Sequence, residues 1–256
     1  MKRVFLAAAV TVVAAFSLVD IGGNAAHAAT VKPLPAALSG LTLAKTWTPQ
    51  MLIAMGPGPN QPGNCTSNRA ETFVNKAGYA EVETNGNPGD CADIETQHTY
   101  PTVPGYDYEA RLYISNFSQW NSFWAYGNNW PTDGEIDSFE GGPGVSSLTY
   151  HGPGNVTIGP DPWDNKIIKA QSADIQPGWN TVDIAFGHDS ISVYYNGHLY
   201  ATVSGSQVLD NGSVHDPYWI TFGTGSCNSG SNGNVCNSVK TPDPGNMQIA
   251  WMRAFK

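Results

Sequence analysis

Charge is scarce in this chain. Over 256 residues there are 12 lysines and arginines and 21 aspartates and glutamates, which leaves a formal net charge of −9. So few cations, outnumbered by acids, argue against nucleic acid as a partner and make a strongly anionic polymer a poor one. Helical periodicity is nearly absent, which argues against a bundle. Past residue 29 no run is long and apolar enough to cross a bilayer. Cysteine is limited to four residues. What is plentiful instead is glycine (28), proline (18), tyrosine (11) and tryptophan (8). Turn formers and aromatics with little charge suit an all-β exported protein and not a disordered one.

The first residues stand apart. Lys2-Arg3 is a short basic start, Val4 to Val19 is almost wholly apolar, and Ala26-His27-Ala28 is a small-x-small cleavage signal. This pattern predicts a secretory signal peptide over 1–28, and hence an extracellular protein with no membrane association after cleavage. Residues 29–256 then form a single domain, without an internal repeat, a linker or an appended carbohydrate-binding module. The four cysteines, Cys65, Cys91, Cys227 and Cys236, are an even number in an exported chain and predict two disulfides. The local pairings Cys65–Cys91 and Cys227–Cys236 are favoured, and the spacings fit a zinc site poorly.

Short alternating runs recur along the chain. In "YDYEARLYI" Tyr106, Tyr108, Ala110, Leu112 and Ile114 share one face, and Asp107, Glu109 and Arg111 the other. Trp251 reads as a core residue, and Glu109 with Arg111 as a surface pair. "SISVYYNGHLYATV" places Asn196-Gly197 between two β-rich arms, a strong hairpin signal. "TVDIAFG", "YWITFG" and "MQIAWMRAF" read as further strands. Many short strands divided by turns predict a sandwich or barrel.

"DGEIDSFEG" carries the chemistry. Glu135, Asp137 and Glu140 follow an acid-x-acid-x-x-acid spacing. In a regular strand Glu135 and Asp137 share a face, and Glu140 points the other way with Ile136. One extra residue at Ser138–Phe139, a β-bulge, resets the alternation and returns Glu140 to the face of the other two. Three acids on one stripe suit glycoside hydrolysis by retention, which needs a carboxylate nucleophile and a carboxylic acid close together. Acids so crowded do not all ionise together, which keeps a proton available. A calcium site or a solvated acidic strand are the competing readings of the triplet alone.

"YEARLYISNFSQWNSFWAYGNNWPTDGEIDSFEG" closely resembles the core of glycoside hydrolase family 16, the laminarinase-like endo-glucanases. "YHGPGNV" resembles a segment of the β-1,3-glucanase branch, and "MQIAWMRAFK" the family's closing strand. The resemblance implies a concanavalin A-like jelly-roll β-sandwich with a concave substrate cleft. It implies Glu135 as nucleophile, Glu140 as general acid/base and Asp137 as the group that orients Glu135. It implies a β-linked glucan or galactan, cut internally; no cofactor is expected. The chain also departs from the family. Ala185-Phe186 replaces a Glu-Trp pair, "ITFGTG" replaces an Asn-Leu-Ala strand, and Ala250 stands where many members place a calcium-binding Asp. The last change makes a structural calcium doubtful, so no metal ligand is assigned.

Trp130 and Trp124 flank the acids and are candidate sugar platforms, because indole faces stack on pyranose rings. Trp163 and His151 are further candidates for substrate binding. The expected partner is a neutral polysaccharide, and the expected state is a monomer. A lectin on the same sandwich is the rival class, but a binder would be free to lose Glu135 or Glu140. A transglycosylase or galactanase would use the same acids.

Overall fold

Period-two alternation of apolar residues becomes two antiparallel sheets packed face to face. The computed structural model describes residues 40–54, 66–67, 71–85, 90–115, 119–129, 133–142, 145–152, 156–158, 175–188, 190–204, 218–226 and 245–256. All lie within one compact unit, Leu34–Lys256. The expected signal peptide, Cys65, Cys227, Cys236, Trp130 and Trp163 lie outside the described residues.

The first sheet contains β1 (Leu43–Trp47), β4 (Thr72–Val74), β5 (Ala80–Thr84), β7 (Asp107–Ile114), β12 (Gly178–Gly187), β13 (Ser190–Tyr195), β14 (His198–Ser204) and β16 (Gly245–Phe255). Their order is β14-β13-β12-β7-β16-β5-β4, with β1 also on β16. The second sheet contains β2 (Leu52–Ala54), β3 (Thr66–Ser67), β6 (Asp90–Thr96), β8 (Gln119–Tyr126), β9 (Glu135–Gly142), β10 (Val145–Gly152), β11 (Val156–Ile158) and β15 (Trp219–Ser226). Their order is β11-β10-β9-β8-β15-β6-β2, with β3 parallel on β6. This is the jelly-roll β-sandwich that the strand pattern and the family resemblance predict.

The core lies between the sheets. Tyr108, Ala110, Leu112 and Ile114 of β7 are all buried there, as their alternation predicts, with Val182 and Ile184 beside them. From the second sheet Phe123 and Phe222 stack at 4.7 Å with rings nearly parallel, and Ile136, Phe139 and Ile220 fill the space around them. Asn196-Gly197 closes the β13–β14 hairpin with both residues at positive φ (52° and 83°), the type I′ geometry that matches strand twist. The Asn196 side chain also accepts the Thr181 N–H at 2.9 Å, tying the turn to β12.

Two expectations fail on the outer face of the first sheet. Trp251 is not core: it is half-buried on β16, with the Arg253 guanidinium 4.0 Å from its ring centre. Glu109 is not half of a surface pair with Arg111 but is itself buried. It stands between Asp183 of β12 and Arg253 of β16, whose guanidinium lies 4.0 Å away. Arg111 instead hydrogen-bonds Thr181 and lies over the Trp179 ring. Alternation places a side chain on a face, but it does not say what neighbours bury it there.

The approach to β9 is packed tightly. Gly127 and Gly134 are joined by a backbone hydrogen bond of 3.0 Å, and a Cβ on Gly127 would lie 2.2 Å from the Cβ of Asp133. Gly127→Ala should therefore force the turn open and cost about 1–3 kcal/mol by overpacking. A urea titration should show a lower midpoint at unchanged slope, and a midpoint equal to the wild type would contradict this packing.

Candidate active site

Sequence dictates the site through one irregularity in β9. Ile136 points into the core and leaves Glu135 and Asp137 on the outer face of the second sheet. On β8, Asp137 stands opposite Trp124 and Phe139 opposite Phe123, so three positions of β9 span two of its neighbour. The same skip appears against β10, where Asp137 meets Thr149 and Glu140 meets Ser147. Ser138 and Phe139 are the bulge, both fully buried. The Ser138 hydroxyl donates to the Phe123 carbonyl at 2.5 Å, and the Ser138 carbonyl accepts from the Tyr195 hydroxyl at 2.8 Å. The backbone that the bulge takes out of the ladder is thus satisfied within the core. Glu140 returns to the face of Glu135 and Asp137.

These acids are recessed. Glu135 is 9% exposed, Asp137 4% and Glu140 6%, although all three lie on the outer face. His151 of β10 is directly across from Glu135 but sends its Nε2 to Asp137 Oδ2 at 3.2 Å. His151, expected at the substrate, thus lies beside the acids and contacts the central one. Trp124 does line the acids, opposite Asp137 and stacked on Tyr126 at 4.9 Å.

The far side of the face holds groups that the sequence reading missed. Tyr126, across from Glu135, donates its hydroxyl to Glu95 Oε2 at 3.0 Å. Asp93, also on β6, is 6% exposed and lies over Gly223, where an added Cβ would meet its Oδ1 at 1.9 Å. Burial, reinforced by the charge of Glu95, pushes the Asp93 carboxyl up to about 7. Burial also raises Glu95, against the lowering effect of its hydrogen bond from Tyr126. Core positions Ala92 and Ile94 on β6, and Phe123 and Ala125 on β8, fix these parities. The alternation of "CADIET" and "SFWAY" thus carried the signal, but the sheet order that brings β6 to β8 through β15 did not. Cys91 is buried and disulfide-bonded, two residues before Asp93. Among the described residues no three His, Cys, Asp or Glu side chains are grouped to hold a metal ion.

Comparison with known proteins places the fold among glycoside hydrolase structures. A family model described as an XgeA-like, catalytic GH16 domain matches residues 67–170. That segment contains the bulged strand and all three acids. Over that segment the chain is similar to glycoside hydrolase family 16 catalytic domains. It is 27% identical over 128 residues to a probable endo-1,3(4)-beta-glucanase of Aspergillus niger, a match to 42% of this chain and 17% of that protein. The match thus spans less than a fifth of the fungal relative. The laminarinase catalytic domain from Thermotoga maritima superimposes with a TM-score of 0.65 at 20% identity, over 84% of this chain and 98% of that one. The endo-beta-1,3-glucanase of Pyrococcus furiosus gives 0.64 at 19%, over 84% and 94%. A family 16 endo-glucanase from Bacteroides ovatus gives 0.60 at 17%, over 82% and 99%. At these identities the likeness of the solved structures is one of fold.

The sandwich also buries acids away from this site. On the first sheet, burial and the nearby Glu109 and Asp107 push Asp183 up to about 8, and burial pushes Asp107 up to about 7. The folded chain keeps these protons, and that of Asp93, at a pH where an unfolded chain has lost them. Their contribution is full below the ordinary carboxylate range near 4 and falls as pH rises toward 7–8. The urea midpoint should therefore be higher at pH 5 than at pH 8, and Asp183→Asn should raise the pH 8 value and flatten the difference. A higher midpoint at pH 8 in the wild type would contradict this reading.

Proposed function

We propose that the protein is a secreted, retaining endo-β-glucanase acting on a neutral polysaccharide, with β-1,3-glucan or mixed-linkage β-1,3-1,4-glucan as substrate. The observation that carries this reading is the bulge, which sets Glu135, Asp137 and Glu140 on one recessed face. The named activities of the fungal relative and of the laminarinase folds support the substrate class. Few cations and several acids on the same face suit an uncharged chain better than a sulfated or uronic one.

The placement supports a double displacement. A carboxylate oxygen of Glu135 attacks the anomeric carbon as the glycosidic C–O bond breaks. Glu140 gives its proton to the departing oxygen. Glu140, now a carboxylate, then takes a proton from water, whose oxygen attacks the same carbon and releases Glu135. Two inversions keep the β configuration. Asp137 sits between the two glutamates in sequence and is held by His151, so it can orient and tune Glu135 without making a bond to sugar. The chemistry is carried by carboxyl groups, and no cofactor is assigned. Export through the leader at 1–28, two disulfides and a monomeric state complete the proposal. Against a lectin on the same sandwich stand the intact acids and the investment in a buried bulge that presents them. With a sugar acceptor in place of water the same acids would perform transglycosylation.

A panel of β-1,3-, mixed-linkage β-1,3-1,4- and β-1,4-glucans and a galactan, with products sized over time, tests substrate and endo action. Glu135→Gln should lose roughly a thousandfold or more in kcat, within the range expected for deleting a catalytic group. Glu140→Gln should fail on polysaccharide yet partly retain its first step on an aryl glycoside with a good leaving group. Azide should then speed turnover and yield the β-azide, because it attacks without a general base. Azide rescue in Glu135→Gln instead of Glu140→Gln would reverse the roles.

A further inference from the structure

Trp219 opens β15, and its neighbours fix where it lies. Tyr218, Ile220 and Phe222 belong to the core, so Trp219 and Thr221 face the same side as the acids. Register places Trp219 opposite Tyr126, Tyr126 opposite Glu135, and Glu135 opposite His151. One cross-strand row thus runs from the histidine through Glu135 to two aromatic residues. Trp219 is two strands from Glu135, roughly 10 Å at ordinary strand spacing.

The indole is held in place. Its Nε1–H donates to Asn128 Oδ1 at 2.8 Å, just past the end of β8, while the ring remains half-buried and outside the core cluster. The preceding residue bonds the same region from the other side: Tyr218 donates its hydroxyl to the Asp133 carbonyl at 2.6 Å. Asp133 in turn caps Asn129 through its backbone and side-chain N–H groups at 2.7 and 3.0 Å. A rigid, partly exposed indole with its polar edge already satisfied offers its apolar surface and little entropy to lose on binding.

We infer that Trp219 is a sugar-ring platform that extends the substrate face beyond the catalytic acids, and that Asn128 fixes its orientation. This rests on the reading of the protein as a β-glucan hydrolase. A β-linked glucosyl ring, with its hydroxyls equatorial, presents flat C–H faces to such a surface. The platform selects for chain length, because only a sugar chain that crosses two strands from Glu135 reaches it. Binding energy gathered there helps hold the scissile bond at Glu135.

Two substitutions separate a platform from a mere brace of the β8 terminus. Trp219→Phe keeps a ring and loses the N–H donor, whereas Trp219→Gln keeps a donor for Asn128 and loses the ring. Both are made in the Glu135→Gln background, which binds without cutting, and both are followed by electrophoresis through gels containing laminarin-type β-1,3-glucan or mixed-linkage β-1,3-1,4-glucan. The expected result is binding about tenfold weaker for Trp219→Gln, of the size found when an aromatic anchor is removed, and within threefold of the parent for Trp219→Phe. In otherwise wild-type enzyme, Trp219→Gln should raise KM on polymer about tenfold while kcat falls less than threefold. Equal binding by the two variants, stronger binding by Trp219→Gln, or no retardation of the parent by either glucan overturns the inference. Retardation of the parent by a glucan that the wild-type enzyme does not cut would instead overturn the hydrolase reading and leave the platform standing.

Discussion

The two hydrogen bonds that hold Ser138 carry more of this molecule than their number suggests. A bulge interrupts a ladder, and an interrupted ladder in a core strand leaves polar backbone to be satisfied. Here the Ser138 hydroxyl reaches the Phe123 carbonyl on one neighbour, and Tyr195 reaches across from the opposite sheet to the Ser138 carbonyl. Phe139 fills the core beside that tyrosine, with ring centres 6.1 Å apart and nearly perpendicular. The sandwich and the acidic stripe are therefore coupled: the first sheet supplies the donor that keeps the second sheet irregular at the point that sets the three acids on one face.

Electrostatics follow the same geometry. Acids are gathered on both outer faces, but the two groups differ in their support. On the face of the three acids Asp137 has His151, and Glu95 has Tyr126. On the other face Asp183 is fully buried beside Glu109 and Asp107, with Arg253 at 4.0 Å from Glu109. The first arrangement orients carboxyl groups. The second, like Asp93 beside the first, holds protons up to near-neutral pH and so ties stability to acid conditions.

Much of this was legible in the residues themselves. The extra residue in acid-x-acid-x-x-acid required a bulge at Ser138–Phe139, and the register skips there on both sides. Asn196-Gly197 required a hairpin, and the parity of β7 placed four of its side chains in the core. What stayed hidden depended on order in space. Asp93, Glu95 and Trp219 meet the acids only because β15 inserts between β6 and β8, strands that precede it by about a hundred residues or more. His151 was legible as a residue beside the acids, but its contact with Asp137, two positions from the residue directly opposite, is a matter of side-chain reach. Burial of Glu109 and exposure of Trp251 were misread for a related reason, since alternation assigns a face and is silent on what lies over it.

The central claim is that Glu135 and Glu140 work as nucleophile and acid/base on one face, with configuration retained. Proton NMR of the first products from a β-1,3-glucan reads this directly, before the sugars mutarotate. The account predicts that the β-anomer appears first and relaxes slowly to the equilibrium mixture. Initial release of the α-anomer would mean a single displacement by water, and the roles assigned to the two glutamates would be wrong.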